Sequence, residues 1–324
     1  MEKDIIDFPS TSESKRLAKQ YGYNEFIVRR FLNLFENGKE LIEAMESTLP
    51  TYIRINTLKK REETVISLLE ERGFSLKETP YSYMYEVVDA PYSPGATPEY
   101  LMGYYYIQDA SSAIPPLALE PNKQDVVVDM CAAPGGKTTF LAQLMNNEGV
   151  IIAAEINRER INSLIHNIHR CGVINTLVMK VDAKKLPEIG IMADKVLLDA
   201  PCTGEGIIHK DPSRKTSRDL KDLIFCSTMQ RELVDSALKL VKKGGIIVYS
   251  TCSLAPEENE MVVQYVIDNY PVRLEEVSYG SPALLKAGKY EFSRQMKKAK
   301  RFFPHIHKTS GFFVARIRVT EEIL

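Results

Sequence analysis

The 324-residue chain has no tryptophan, only five cysteines and no excess of either charge, with 42 Lys plus Arg opposing 43 Asp plus Glu for a net of −1. Near-neutrality excludes attraction of a polyanion by net charge, so a nucleic-acid partner would have to be held by an uneven distribution. No run approaches the roughly 20 apolar residues that a membrane span needs. Met1-Glu2-Lys3-Asp4 lacks the basic start and apolar stretch of a secretory leader, and a cytoplasmic location is expected. Cys131, Cys171, Cys202, Cys226 and Cys252 are odd in number, widely spaced and never in a C-x-x-C pair. That argues against a disulfide framework and a zinc knuckle, and no metal is expected.

What is present reads as a folded α/β protein, with 44% hydrophobic and 26% charged residues. Ile27, Phe31, Leu34 and Phe35, then Leu41, Ile42 and Met45, make apolar stripes at helical spacing before Pro50 and predict an N-terminal helical pair. Alternation at residues 52–56, a helical face of Val65, Leu68 and Leu69, and a second strand at 83–88 predict a small α+β module. From about Tyr105, short apolar runs alternate with amphipathic segments, the pattern of a doubly wound sheet. Strands are predicted at 126–129, 150–154, 177–181, 195–199, 245–250 and 312–317, and helices at 157–170 and 230–241. The expected domains are 1–104 and 105–324.

Ligands of open α/β sheets sit beyond the carboxyl ends of the strands. Asp129, Glu155, Asp182 and Asp199 each end or directly follow a predicted strand, and Cys131-Ala132-Ala133-Pro134-Gly135-Gly136-Lys137 turns the first into a helix. Small residues there admit a ligand to the backbone and to a helix N-terminus. Any single acid of this kind is as readily a helix cap; four at consecutive strand ends are harder to dismiss. Glu155 is placed to accept both hydroxyls of a ribose. Gly136-Lys137-Thr138 raises the rival of a phosphate-binding loop, but the first glycine of G-x-x-x-x-G-K would fall at Cys131, which removes most of its support. Cys171 and Cys226 fit small buried hydrophobes. Cys202 and Cys252 directly follow strands and have the position that a nucleophile needs.

Three motifs, Asp129-Met130-Cys131-Ala132-Ala133-Pro134-Gly135-Gly136-Lys137-Thr138, Asp199-Ala200-Pro201-Cys202-Thr203-Gly204 and Ser250-Thr251-Cys252-Ser253, resemble those of S-adenosylmethionine-dependent RNA cytosine-5 methyltransferases of the NOL1/NOP2/Sun family. Arg54-Ile55-Asn56-Thr57 resembles the family's N-terminal module. The resemblance implies a Rossmann-type class I methyltransferase domain behind a smaller helical plus α+β, RRM-like module. It implies S-adenosylmethionine as cofactor, with residues 131–137 around its methionine end, Glu155 on the ribose, Asp182 on the adenine and Arg160 at a further position. Cys252 matches the family nucleophile and Cys202 the cysteine that resolves the covalent product. Asp199 belongs where cofactor and base meet, and Lys137 or another cation is expected to favour the thiolate. The expected partner is RNA, with tRNA the first substrate and ribosomal RNA the alternative; no obligatory protein partner is inferred. A non-catalytic RNA-binding protein that retains the cofactor fold is the competitor from a different class. Residues 286–318 carry ten basic residues against one acid, Glu291, a local net of +9 suited to phosphate contacts, with Arg214, Lys215 and Arg218 as further candidates.

Overall fold

A computed structural model of the chain describes residues 5–323. They form two compact units. The first runs to Leu49 and adds Ala200–Val234 and Ser250–Arg316; the second is made of Pro50–Asp199, Asp235–Tyr249 and the residues from Ile317 onward.

In the second unit, the strands Thr51–Ile55, Ser75–Glu78, Met84–Asp89 and Tyr105–Ile107 form an antiparallel sheet in which Thr51–Ile55 lies between Met84–Asp89 and Tyr105–Ile107. The helix Glu62–Glu71 supplies Val65 and Leu69 to a core shared with Ile53, Ile55, Phe74 and Tyr105. Tyr105–Ile107, at the predicted start of the catalytic domain, is thus a strand of the small sheet. A parallel sheet follows, with Val126–Asp129 between Ala193–Asp199 and Val150–Glu155, and Thr176–Lys180 beyond the latter. Residues 241–249 of the strand Val241–Thr251 lie on the other side of Ala193–Asp199. Val127, Val128, Ile151 and Ala153 are fully buried, as parallel strands covered on both faces require, and each large side chain so buried contributes about 1.5–3 kcal/mol. The helix Arg158–Cys171 starts at Asn157, whose side chain accepts from the N–H of Glu159 and Arg160, and stops at Gly172 with φ +71°.

The first unit holds three N-terminal helices, Ser12–Tyr21, Glu25–Leu34 and Gly38–Met45, where the sequence predicts two. Its core joins Leu17, Ile27, Phe31, Leu41 and Met45 to Ile208, Leu223, Leu254 and Phe303. The strands Ser281–Pro282, Lys300–Phe302 and Phe312–Val319 pair antiparallel in that order. The helix predicted at 230–241 spans Leu220–Leu240. The apolar stripe conceals its first ten residues, because Phe225 is 67% exposed. Among the described residues, no helix is long and apolar enough to cross a membrane.

Candidate active site

In the second unit, Val126–Asp129 ends on a buried carboxylate and the chain turns into the helix Gly136–Leu144. Glycine is needed at the turn: Gly135 has φ +103°, and a Cβ on Gly136 would stand 3.3 Å from the Tyr106 ring. Asp129 Oδ2 accepts from Thr138 Oγ1 at 2.8 Å, whereas its Oδ1 is buried without a hydrogen-bond partner. Burial pushes the Asp129 carboxyl up to about 6, opposed by the Thr138 hydroxyl and the Lys137 ammonium and aided by Asp199. Burial, with the charges of Asp129, Asp199 and Glu155, raises the Cys131 thiol well above its ordinary value, so Cys131 lines the turn as a neutral thiol.

The helix Arg158–Cys171 holds this turn. Arg160 Nη2 donates to the Ala133 carbonyl at 2.5 Å, and Asn167 Nδ2 donates to that of Pro134 at 2.9 Å. Arg160 also places Nη1 3.3 Å from Glu155 Oε2, so it is a tie between strand end and loop. Glu155 is buried; its Oε1 accepts from the Asn157 N–H at 2.9 Å, but Oε2 takes no hydrogen bond. That oxygen has the Arg160 guanidinium beside it but room for a hydrogen-bond donor, and ribose hydroxyls are donors that this position would take. Asp182 caps a short turn, accepting from the Lys184 N–H at 3.0 Å. Lys137 Nζ donates to Asp199 Oδ2 at 2.6 Å. The unit therefore joins the 131–137 turn to Asp129, Glu155, Arg160 and Asp199, whereas the Asp182 contact is local.

Sequence reasoning assigned no role to the side chain of Arg54, which is fully buried. It donates to the Gly136 carbonyl at 2.6 Å, to Gln108 Oε1 at 2.8 Å and to Thr139 Oγ1 at 2.9 Å, and lies 4.6 Å from the Phe140 ring centroid. Burial lowers the Arg54 guanidinium to about 10. The available signal was a charge inside the apolar strand Tyr52-Ile53-Arg54-Ile55.

In the first unit, Cys202 and Cys252 stand together, both half-buried, with their sulfurs 3.0 Å apart. Their loops are tied at several points. The Ala200 N–H donates to the Ser250 carbonyl at 2.8 Å and the Gly206 N–H to that of Cys252 at 2.9 Å. Arg214 Nη1 and Arg218 Nε donate to the Thr203 carbonyl at 2.5 and 3.1 Å. Cys226 is a different case, pushed up to about 12, chiefly by burial.

The basic stretch is less open than its composition implies. Within the first unit, Arg301 is buried against Glu260, Arg316 pairs with Glu275 at 3.1 Å and Lys300 with Glu276 at 2.5 Å. Lys286, Lys289, Arg294, Lys297 and Lys308 are exposed. Arg214 and Arg218 hold the Cys202 loop, and Lys215 pairs with Glu46 at 2.7 Å. Among the described residues, no cluster of three His, Cys, Asp or Glu is arranged for a metal ion.

Residues 116–318 match the family model described as "16S rRNA methyltransferase RsmB/F". The chain belongs to that family. Residues 24–110 match the N-terminal domain of 16S rRNA methyltransferase RsmF, and the resemblance to the NOL1/NOP2/Sun proteins holds. A 28S rRNA (cytosine(4447)-C(5))-methyltransferase of Homo sapiens is 41% identical over 314 residues, 94% of this chain and 39% of that protein. A tRNA (cytosine(49)-C(5))-methyltransferase of Pyrococcus abyssi is 36% identical over 303 residues, covering 91% of this chain and 96% of its own. The crystal structure of a methyltransferase homolog from Pyrococcus horikoshii superposes with a TM-score of 0.89 at 41% identity, over 96% of this chain and 100% of that one. The RsmB/F chain spans about half the length, or less, of several curated relatives that it matches. Its fold is that of a class I methyltransferase, which removes the phosphate-loop alternative.

Proposed function

We propose that this RsmB/F family chain transfers a methyl group from S-adenosylmethionine to carbon 5 of cytosine in RNA through a covalent adduct of Cys252. The observation that carries the reading is the pair of thiols 3.0 Å apart, one on the Pro-Cys and one on the Thr-Cys loop. A non-catalytic binding protein has no need of two adjacent thiols, and relatives over most of the chain are named as cytosine-C(5)-methyltransferases.

Residues suited to the cofactor are those of the 131–137 turn, Glu155, with an oxygen that takes no hydrogen bond, Arg160, Asp182 and Asp199. When bound, S-adenosylmethionine supplies an electrophilic methyl group. Carbon 5 of cytosine is too weak a nucleophile to take it unaided. The Cys252 thiolate adds to carbon 6 and makes carbon 5 electron-rich. Asp199, held by Lys137, accepts a hydrogen bond from the exocyclic amine of the base, or from the proton that ring nitrogen 3 takes up in the adduct, and stabilises charge in the ring. Once carbon 5 is methylated, a base removes its proton and Cys252 is eliminated. Cys202 serves that release, a role supported by its sulfur lying adjacent to the one that leaves. The target base must leave any stack it occupies, which costs a few kcal/mol and favours loops or junctions.

We place tRNA first among substrates, because the relative named for tRNA matches over 96% of its own length. Ribosomal RNA is the second reading, favoured by the 41% identity to the human protein. Trapping tests the mechanism. Cys202→Ala should accumulate a covalent RNA adduct that survives denaturing electrophoresis, whereas Cys252→Ala should form none. Absence of an adduct with both tRNA and ribosomal RNA transcripts would sink the reading.

A further inference from the structure

The segment Glu257-Glu258-Asn259-Glu260 follows the Cys252 loop, and all four residues are buried. The acids have different partners. Glu257 takes Arg30, whose Nη2 is 2.6 Å from Oε2, and Glu260 takes Arg301. Glu258 takes donors from the two loops that carry the thiols. Its Oε1 accepts from the Thr203 N–H at 2.9 Å and from Gln230 Nε2 at 3.0 Å. Its Oε2 accepts from Thr203 Oγ1 at 2.5 Å and from the Ser253 hydroxyl. Thr203 directly follows Cys202, and Ser253 directly follows Cys252. Gln230 Nε2 also donates to the carbonyl of Pro201, the residue before Cys202, at 2.8 Å.

We propose that Glu258 is a positioning residue: acting through Thr203, Gln230 and Ser253, it holds the Cys202 and Cys252 thiols side by side. A carboxylate is suited to this because it is acceptor-only and has room for four donors, whereas an amide offers one acceptor oxygen and would turn its own N–H groups toward the two hydroxyls. The kinetic consequence rests on the function proposed for the two cysteines. A shift of the reacting sulfur by about 1 Å costs roughly 100-fold in rate.

The test uses Glu258→Ala and Glu258→Gln, with fold checked by circular dichroism and melting. One readout is bridging of Cys202 to Cys252 by the bifunctional thiol reagent dibromobimane; the other is methyl transfer to a tRNA transcript. Glu258→Ala should bridge more slowly and lose roughly 100-fold in kcat with KM for RNA unchanged, and Glu258→Gln should fall between it and the wild type. A folded Glu258→Ala chain with wild-type bridging and kcat overturns the proposal, as does a wild-type chain that does not bridge. A role in stability alone would lower the melting temperature and leave bridging in the folded protein as it was. If Glu258→Ala does not fold, Ser253→Ala decides: slower bridging supports the clamp, and wild-type bridging overturns it. Bridging needs no RNA. A wild-type chain that bridges but transfers no methyl group would therefore sink the functional reading alone, while active wild type beside an unaffected Glu258→Ala would sink the clamp alone.

Discussion

Glu205 shows what a single buried carboxyl does in this fold. Burial pushes it up to about 7; Arg30 and Arg301 oppose the rise, and Glu258 and Glu257 add to it. Its folded value lies above the ordinary 4.5, so its contribution to stability is fully present below about 4.5 and is lost as pH rises through about 7. Glu205→Gln removes that loss. The variant should be more stable than wild type at pH 8 by about 1–3 kcal/mol, and the difference should shrink toward pH 5. Urea denaturation at the two pH values measures it, and an equal or lower stability of the variant at pH 8 would refute the assignment. Residues of this kind were not legible in the sequence, where Glu205, Glu257, Glu258 and Glu260 look like surface acids and only their buried partners tell them apart. The strand-end positions of Cys202, Cys252 and Asp199 were legible, because each ends or follows a short apolar run and the local pattern alone marks the strand end.

At the scale of elements, the approach of three loop backbones demands glycine at position 206. A Cβ there would lie 2.1 Å from the Gly311 carbonyl oxygen and 2.7 Å from that of Cys252. The Gly206 N–H already donates to Cys252 O, and the Gly311 N–H to Gly206 O at 2.8 Å. Only a backbone shift can admit a methyl group, and that shift moves the Cys252 loop. Gly206→Ala should therefore destabilise by about 2 kcal/mol or more and abolish adduct formation. Gly95→Ala, whose Cβ would meet nothing closer than 3.7 Å, should change stability by no more than about 0.5 kcal/mol. Thermal melts and the trapping gel read both, and a wild-type adduct yield in Gly206→Ala would contradict the argument. Elements were legible where burial is nearly complete, as in Val126–Asp129 and Ala193–Asp199. Ser12–Tyr21 was not, since it buries only Ser14, Leu17 and Ala18, too few for an apolar stripe. The pairing of Tyr105–Ile107 with Thr51–Ile55 is a contact across some fifty residues of sequence, which no local pattern encodes.

For the whole molecule, the proposed function raises the question of how a chain of net charge −1 would hold a polyanion. The local +9 of residues 286–318 overstates the answer, because the acids that neutralise Lys300, Arg301 and Arg316 lie outside that stretch, at Glu276, Glu260 and Glu275. Lys298 is likewise engaged, donating to the Leu274 carbonyl at 3.0 Å. Charge reversal at any of these four would disturb the fold or a local tie before it tested RNA contact. Lys289, Arg294 and Lys297 are exposed, and reversing all three leaves the buried pairs intact. If they face phosphates in the RNA complex, each contact releases counterions, and the slope of log K against log salt should lose roughly 0.7–0.9 per phosphate contact removed. The triple variant Lys289→Glu, Arg294→Glu, Lys297→Glu should thus bind a tRNA transcript more weakly at about 50 mM salt and converge on wild type as salt rises toward about 200 mM, with cofactor affinity and melting temperature unchanged. Filter binding across that range measures it, and an unaltered affinity and slope would mean that the RNA is held by other residues.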